Sequence, residues 1–200
     1  VNMIYFDNAA TTYPKPKSVI KTANMASVVC GGNPGRSGHR LSQKSGEMIY
    51  ETRERLSRLF NAEEQNCIFT LNCTEALNIA IKGIAKNGGH FVISDLEHNS
   101  VARPVHSLKI KGVCSYTVAK TYENDYETVK SFIESIKPNT VAVIMTAARN
   151  VTGQVLPYEE IAKVCEKRNI CFILDSAQAA GTQKIKIGNG INFICGAGHK

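Results

Sequence analysis

The stretch of sequence that decides the fold is residues 141–178, VAVIMTAARNVTGQVLPYEEIAKVCEKRNICFILDSAQ. It contains two short apolar runs, Val141–Thr146 and Cys171–Leu174, whose length and β-branched residues are typical of buried strands. Between them, Tyr158–Lys167 has apolar residues at helical spacing, with acidic residues first and basic residues last, as the helix dipole favours. A strand, a helix and a second strand in this order predict a β-α-β unit with parallel strands.

The same alternation extends outward from this unit. Further strands are expected at Cys67–Thr70, His90–Ser94, Val113–Val118 and Asn192–Cys195, and further helices at Gln43–Phe60, Thr74–Lys86 and Tyr126–Ile136. Thr74 is expected to cap the helix that it begins. The first 40 residues are rich in Pro and Gly and are expected to be extended. We therefore predict an α/β fold, a mainly parallel sheet with helices on both faces, with an N-terminal segment at 1–40 and an α/β domain at 41–200.

Composition and charge argue against several classes of protein. Hydrophobic residues make up 43% and charged residues 20%, as in ordinary globular proteins. Neither an apolar run of the ~18 residues that a membrane span needs nor a secretory signal is found. Seven irregularly spaced cysteines, with no Cys-x-x-Cys pair, argue against a disulfide framework and a metal site. The net charge of +7 comes from scattered basic residues, so we expect no nucleic-acid partner. The lack of a span and of a signal leads us to expect a cytoplasmic protein with no membrane partner.

Polar side chains follow the predicted strands, at the edge of a parallel sheet where ligands bind. They are Cys73 and Thr74 at a helix start, His98, Asn150, Asp175 with Gln178, and Lys200. A helix N-terminus binds phosphate, a carboxylate keeps a pyridine nitrogen protonated, and a lysine amine forms a Schiff base. Together these groups predict a pyridoxal-phosphate site. Singly they have simpler explanations, as an N-cap, a turn residue, a structural histidine or a solvated terminus.

Seven segments resemble the class V aminotransferases and, within that family, the cysteine desulfurase-like enzymes. In the family's order they are Tyr5–Pro16 (YFDNAATTYPKP), Asn33–His39 (NPGRSGH), Phe69–Asn78, Glu97–His98, Asn150–Gly153, Asp175–Gln178 and Gly198–Lys200. The resemblance covers nearly the whole chain. It implies the large domain of pyridoxal-phosphate fold type I, with pyridoxal phosphate as cofactor, and a homodimer.

The resemblance also implies roles for individual residues. Lys200 and His98 would be the catalytic residues: Lys200 would form the Schiff base and move the substrate's α-proton, and His98 would stack on the cofactor ring. The remaining cofactor-binding residues would be Asp175 at the pyridine nitrogen, Gln178 and Asn150 near the phenolic oxygen, Cys73 (through its backbone) and Thr74 at the phosphate, and His199. Asn8, Arg36 and His39 would border the substrate.

The implied reaction is that of an enzyme acting on an amino acid, with L-cysteine as the implied substrate, whose sulfur passes to a protein cysteine as a persulfide and then to an acceptor protein. Another activity of the family (aminotransferase, lyase or epimerase) and a non-catalytic binding or assembly module remain open alternatives. Family members are longer than this chain. We therefore expect a truncated enzyme that lacks the small C-terminal domain and the loop with the persulfide cysteine. Ala197, Ala147 and Arg149 depart from the residues that relatives commonly carry.

Overall fold

The computed structural model of the protein describes residues 4–36 and 38–200. The helices are α1 (Lys17–Val29), α2 (Arg40–Phe60), α3 (Cys73–Ile84), α4 (Asn99–Ile110), α5 (Asp125–Ser135) and α6 (Tyr158–Lys167). The strands are β1 (His90–Ser94), β2 (Ser115–Ala119), β3 (Thr140–Thr146), β4 (Cys171–Asp175) and β5 (Phe193–Cys195). Single 3₁₀ turns lie at Glu64–Asn66 and Ala85–Asn87. None of the helices in the described ranges is both long and apolar enough to cross a membrane.

The described residues form two compact units. The first comprises those up to Ile68 together with His199–Lys200, and the second is Phe69–Gly198. In the first unit, α1 packs on α2, and the Tyr5 and Tyr13 rings meet edge to face with their centroids 5.2 Å apart. The second unit contains all five strands and α3 to α6. The expected division at residue 40 stays a prediction.

The sheet of the second unit has the strand order β2-β1-β3-β4-β5, and every pair is parallel. From β1 the chain moves outward to β2 and then returns past β1 to β3, so the direction of winding reverses between β1 and β3. In such sheets the crevice at the reversal point, beyond the carboxyl ends of the strands, is where ligands bind. The predicted parallel α/β sheet is confirmed.

Alternate side chains of the strands enter two separate hydrophobic layers. Val143, Met145, Phe172 and Leu174 pack with residues of α5 and α6 on one face. Phe91, Ile93, Ala142, Ile144 and Ile173 pack with residues of α3 and α4 on the other. Successive residues of a strand point to opposite faces, so a strand that is apolar throughout, such as β3, supplies both layers. Helices on both faces are therefore confirmed.

Four local expectations were wrong. Cys67–Thr70 is not a strand: Ile68 is 75% exposed, so its apolar side chain enters neither layer. Residues 1–40 are not extended throughout, because α1 lies within them. Helix α4 was not expected, since Pro104 lies inside it. Finally, Thr74 does not cap α3; the cap is Asn72, whose side chain accepts a hydrogen bond from the Glu75 N–H at 2.9 Å.

Candidate functional site

Asp175 lies at the carboxyl end of β4, between its register partners Thr146 on β3 and Cys195 on β5. Its side chain is buried, and the residue is 4% exposed. Oδ1 accepts hydrogen bonds from the Ala177 N–H at 3.0 Å and from the Cys73 thiol at 3.6 Å. The site therefore contains a buried, hydrogen-bonded carboxyl group, which is suited to a cationic ring nitrogen.

The start of α3 lies at this same edge of the sheet. Cys73 is buried against Asp175, whereas Thr74 is exposed in the first turn of the helix. The Glu75 carboxylate accepts a hydrogen bond from the Leu71 N–H at 2.6 Å, which fixes the loop that enters the helix. The backbone N–H groups of a first turn have no acceptor within the helix, and they attract anions such as phosphate.

His98 is the N-cap of α4, four residues beyond β1. Its Nδ1 accepts a hydrogen bond from the Ser100 N–H at 3.1 Å and lies 2.8 Å from the Ser100 hydroxyl. Because Nδ1 accepts, the neutral ring carries its proton on Nε2. The ring is exposed and held in one orientation by the helix start.

Asn150 and Gln178 are brought together by hydrogen bonding, although 28 residues separate them: the Gln178 amide donates to Asn150 Oδ1. Asn150 lies in the turn after β3, and Gln178 lies three residues after Asp175. The two amides therefore form one hydrogen-bonding pair at the end of neighbouring strands.

The residues around Lys200 belong to the first unit. The carbonyl oxygen of His199 accepts hydrogen bonds from the Thr12 N–H at 3.1 Å, the Thr11 hydroxyl at 3.0 Å and the Lys15 ammonium at 2.9 Å. Residues of the segment Tyr5–Pro16 thus hold the peptide that precedes Lys200, and Lys200 is exposed.

The three residues expected on the substrate side also lie in the first unit. Asn8 accepts a hydrogen bond from the Tyr13 N–H at 3.0 Å, within a turn. His39 caps α2 by accepting from the Ser42 N–H at 3.3 Å, and Arg36 is exposed in a turn. Asn8 and His39 therefore have structural contacts of their own, and a substrate role for the three stays a prediction.

Sequence reasoning missed Glu97, which it treated only as the neighbour of His98. Glu97 Oε1 accepts hydrogen bonds from the Ser94 hydroxyl at 2.5 Å and from the Thr146 N–H at 2.8 Å. Burial raises the pKa of this carboxyl to about 8, although both hydrogen bonds act in the opposite direction; the charge of Asp175 raises it further. Glu97 as a residue is partly exposed, but Oε2 is buried and has no hydrogen-bond partner among the described residues. No pattern in the sequence marks which acidic residue would be buried in this way.

Comparison with known proteins agrees with this arrangement. Residues 4–200 match the model of the class-V aminotransferase family. The chain belongs to that family. Class-V aminotransferases use pyridoxal phosphate.

Relatives within the class-V aminotransferases are cysteine desulfurases. The chain is 32% identical over 202 residues to cysteine desulfurase IscS of Clostridium botulinum, a match that covers 98% of this chain and 50% of that relative. It therefore spans about half the length of the curated relatives that it matches.

Solved structures agree with the fold. SspA in complex with cysteine is 26% identical, with a TM-score of 0.88 over 98% of this chain and 57% of that one. The apo cysteine desulfurase of Thermococcus onnurineus NA1 is 28% identical, with a TM-score of 0.88 over 98% of this chain and 50% of that one.

The donor set fits the cofactor of the family. A buried carboxylate and a helix N-terminus, both in the second unit, are suited to the ring nitrogen and the phosphate of pyridoxal phosphate, and a lysine amine is the group that can form a Schiff base with its aldehyde. Asp175 and the start of α3 are in direct contact through Cys73. Lys200 follows β5, the strand next to β4, by five residues.

Proposed function

We propose that this chain is the cofactor-binding part of a pyridoxal-phosphate enzyme that removes sulfur from L-cysteine. The observation that carries the proposal is the buried Asp175 carboxylate in contact with the first residue of α3, within a chain of the class-V aminotransferase family. The names of its relatives and the cysteine bound to SspA support L-cysteine as the substrate.

The residues of the chain divide the work of binding. The first turn of α3, with the Thr74 hydroxyl and backbone N–H groups, would hold the phosphate. Asp175 would keep the ring nitrogen protonated, and the Gln178–Asn150 pair would donate to the phenolic oxygen. The Lys200 amine would attach the cofactor covalently and afterwards accept the α-proton of the substrate. His98, held by Ser100, would cover the ring and exclude water from it.

When it is bound, pyridoxal phosphate supplies a conjugated electron sink that stabilises negative charge on the substrate carbon. We propose that, in the complete protein, a cysteine outside residues 1–200 receives the sulfur as a persulfide and passes it to an acceptor protein. We also propose that the protein is cytoplasmic and forms a homodimer. The exposure of four large apolar side chains of α1 supports the dimer, because a second subunit would cover them: Val19, Ile20, Met25 and Val28 are 49–81% exposed. The mass measured by sedimentation tests the dimer.

The first experiment is a titration of the protein with pyridoxal phosphate, followed by absorbance and then by borohydride, which makes the bond to the lysine permanent. We expect a visible absorbance band and, after digestion, label on Lys200. Lys200→Ala should lose both, and Lys130→Ala, which removes an exposed lysine of α5, should lose neither. Label spread over many lysines would contradict the proposal. With the band established, incubation of the complete protein with L-cysteine and a thiol reductant, which releases persulfide sulfur as sulfide, tests the substrate. The absence of sulfide would contradict that part alone.

A further inference from the structure

Glu97 connects two strands at the point where the sheet reverses its winding. Glu97 lies in the loop after β1, and its Oε1 accepts a hydrogen bond from the hydroxyl of Ser94, the last residue of β1. The same oxygen accepts a hydrogen bond from the N–H of Thr146, the last residue of β3. Ser94 is itself held by a hydrogen bond of 3.2 Å from the Leu96 N–H. The side chain therefore joins the carboxyl ends of β1 and β3, immediately before His98.

The two oxygens of Glu97 have different surroundings. The Ser94 hydroxyl and the Thr146 N–H both donate to Oε1, whereas Oε2 is buried without a partner among the described residues. An ionised carboxylate would place half of its charge on that buried, unpaired oxygen, and uncompensated charge is far more costly to bury than a neutral hydroxyl. The geometry therefore favours a proton on Oε2.

Asp175 has the opposite arrangement. It receives hydrogen bonds from a backbone N–H and from the Cys73 thiol, and it is the charged group whose field disfavours ionisation of Glu97. The other groups nearby are engaged elsewhere: the Asp95 carboxylate accepts from the N–H and the hydroxyl of Thr121, and the His98 ring binds Ser100. Two acids whose environments separate their ionisation in this way commonly take different roles in one site.

We propose that Glu97 is a positioning residue that acts as an uncharged carboxylic acid, bridging β1 to β3 so that His98 is held in place while Asp175, and not Glu97, carries the buried negative charge. The roles of His98 and Asp175 rest on the proposed function. The bridge and its proton do not, because they follow from contacts within the second unit.

The proton is tested directly by NMR in cofactor-free protein that carries ¹³C at the side-chain carboxyl of glutamate. Glu97→Gln identifies the Glu97 signal by its loss, and the signal should titrate with a midpoint near 8 rather than near the ordinary value of 4.5. Ser94→Ala removes a donor that favours the carboxylate, so it should move the midpoint upward. A midpoint near 4.5, or one that Ser94→Ala leaves unchanged, would overturn the proposal.

The positioning role is tested by the affinity of the variants for pyridoxal phosphate. Glu97→Gln keeps an uncharged group and an oxygen that can accept both hydrogen bonds, so its Kd should stay within about twofold of the parent. Glu97→Ala removes the bridge, and its Kd should rise by roughly tenfold, an ordinary size for coupling between neighbouring groups. Glu134→Gln, an exposed acid on α5, is the matched control. Equal weakening by Gln and Ala at position 97, or none by Ala, would contradict the role.

The two measurements separate failure of this inference from failure of the proposed function. If no variant and no parent protein binds pyridoxal phosphate, the proposed function fails, and the NMR titration still decides whether Glu97 is the uncharged bridge. If the parent binds it through Lys200 but the carboxyl signal titrates normally, only the inference about Glu97 fails.

Discussion

At the scale of single residues, Asn72 and Thr74 lie two positions apart but differ in the role that we expect of each. Asn72 caps α3, and Thr74 is proposed to bind the phosphate of the cofactor. Asn72 satisfies the Glu75 N–H, so Asn72→Ala should lower the free energy of unfolding by about 1 kcal/mol. Thr74 is exposed, so Thr74→Ala should change stability little and weaken pyridoxal-phosphate binding instead. Urea denaturation and a cofactor titration of both variants provide the measurement, with each variant the control of the other. The prediction fails if Thr74→Ala is the less stable of the two.

The sequence was enough to select the candidate site residues that follow the strands. It was not enough to predict which of their side chains form hydrogen bonds with each other. Asp175, Gln178 and Asn150 were selected from the sequence, and the structure places them at the carboxyl edge of the sheet. Which of Asn72 and Thr74 caps α3 depends on backbone conformation two residues apart, and both residue types are good caps. Glu97 could not be selected, because its burial depends on β3, whose last residue lies 49 positions further along the chain.

At the scale of elements, His90 joins three strands near their amino ends. It is fully buried at the start of β1, with Nδ1 2.8 Å from the Thr140 hydroxyl of β3 and Nε2 2.8 Å from the Thr117 hydroxyl of β2. Burial lowers the pKa of His90 below its ordinary value of 6.5, and the positive charge of Lys137 lowers it further. As pH falls below about 6.5, the unfolded chain therefore takes up a proton more readily than the folded one, and stability declines.

The pH dependence of unfolding measures this effect. Between pH 7.5 and 5.5 the parent protein should lose more stability than His90→Gln, whose side chain does not titrate in that range. His106→Gln, at an exposed position of α4, is the control and should keep the slope of the parent. Equal slopes for the parent and His90→Gln would contradict the role assigned to His90.

Elements were predictable where apolar spacing is regular. The bounds of β1 and α6 agree with the sequence-based expectation, and those of β2 to β5 differ by at most two residues at either end. The expected strand at Cys67–Thr70 had the right composition but no neighbouring strand, and pairing is a tertiary property. Helix α1 lies among Pro and Gly residues that favour loops, and its apolar side chains are exposed.

At the scale of the whole molecule, the sheet of the second unit separates two hydrophobic layers that should contribute independently to stability. Phe91 lies in the layer of α3 and α4, and Phe172 lies in the layer of α5 and α6; both are fully buried. Each Phe→Ala change should cost about 3–5 kcal/mol. The double variant should cost the sum within about 0.5 kcal/mol, because the two side chains are on opposite faces of the sheet. The comparison is the double variant Leu77→Ala with Phe91→Ala, because these two side chains lie in the same layer. Strong coupling between Phe91 and Phe172 in chemical denaturation would contradict two independent layers.

The order of strands in the sheet also bears on how the protein is made. A ribosome releases β1 and β2 first, but β3 joins β1 on its other side, and β5 joins β4 only once Phe193–Cys195 has been synthesised. The hydrogen bond from the Thr11 hydroxyl to the His199 carbonyl oxygen spans 188 positions, so Thr11 leaves the ribosome long before its partner does. Contacts of such separation form late, since the intervening chain has to be ordered first. We therefore expect a nascent chain that binds pyridoxal phosphate through Lys200, as proposed, to do so only after the five described strands have been synthesised, so cofactor captured by Lys200 would mark a chain that has reached this stage.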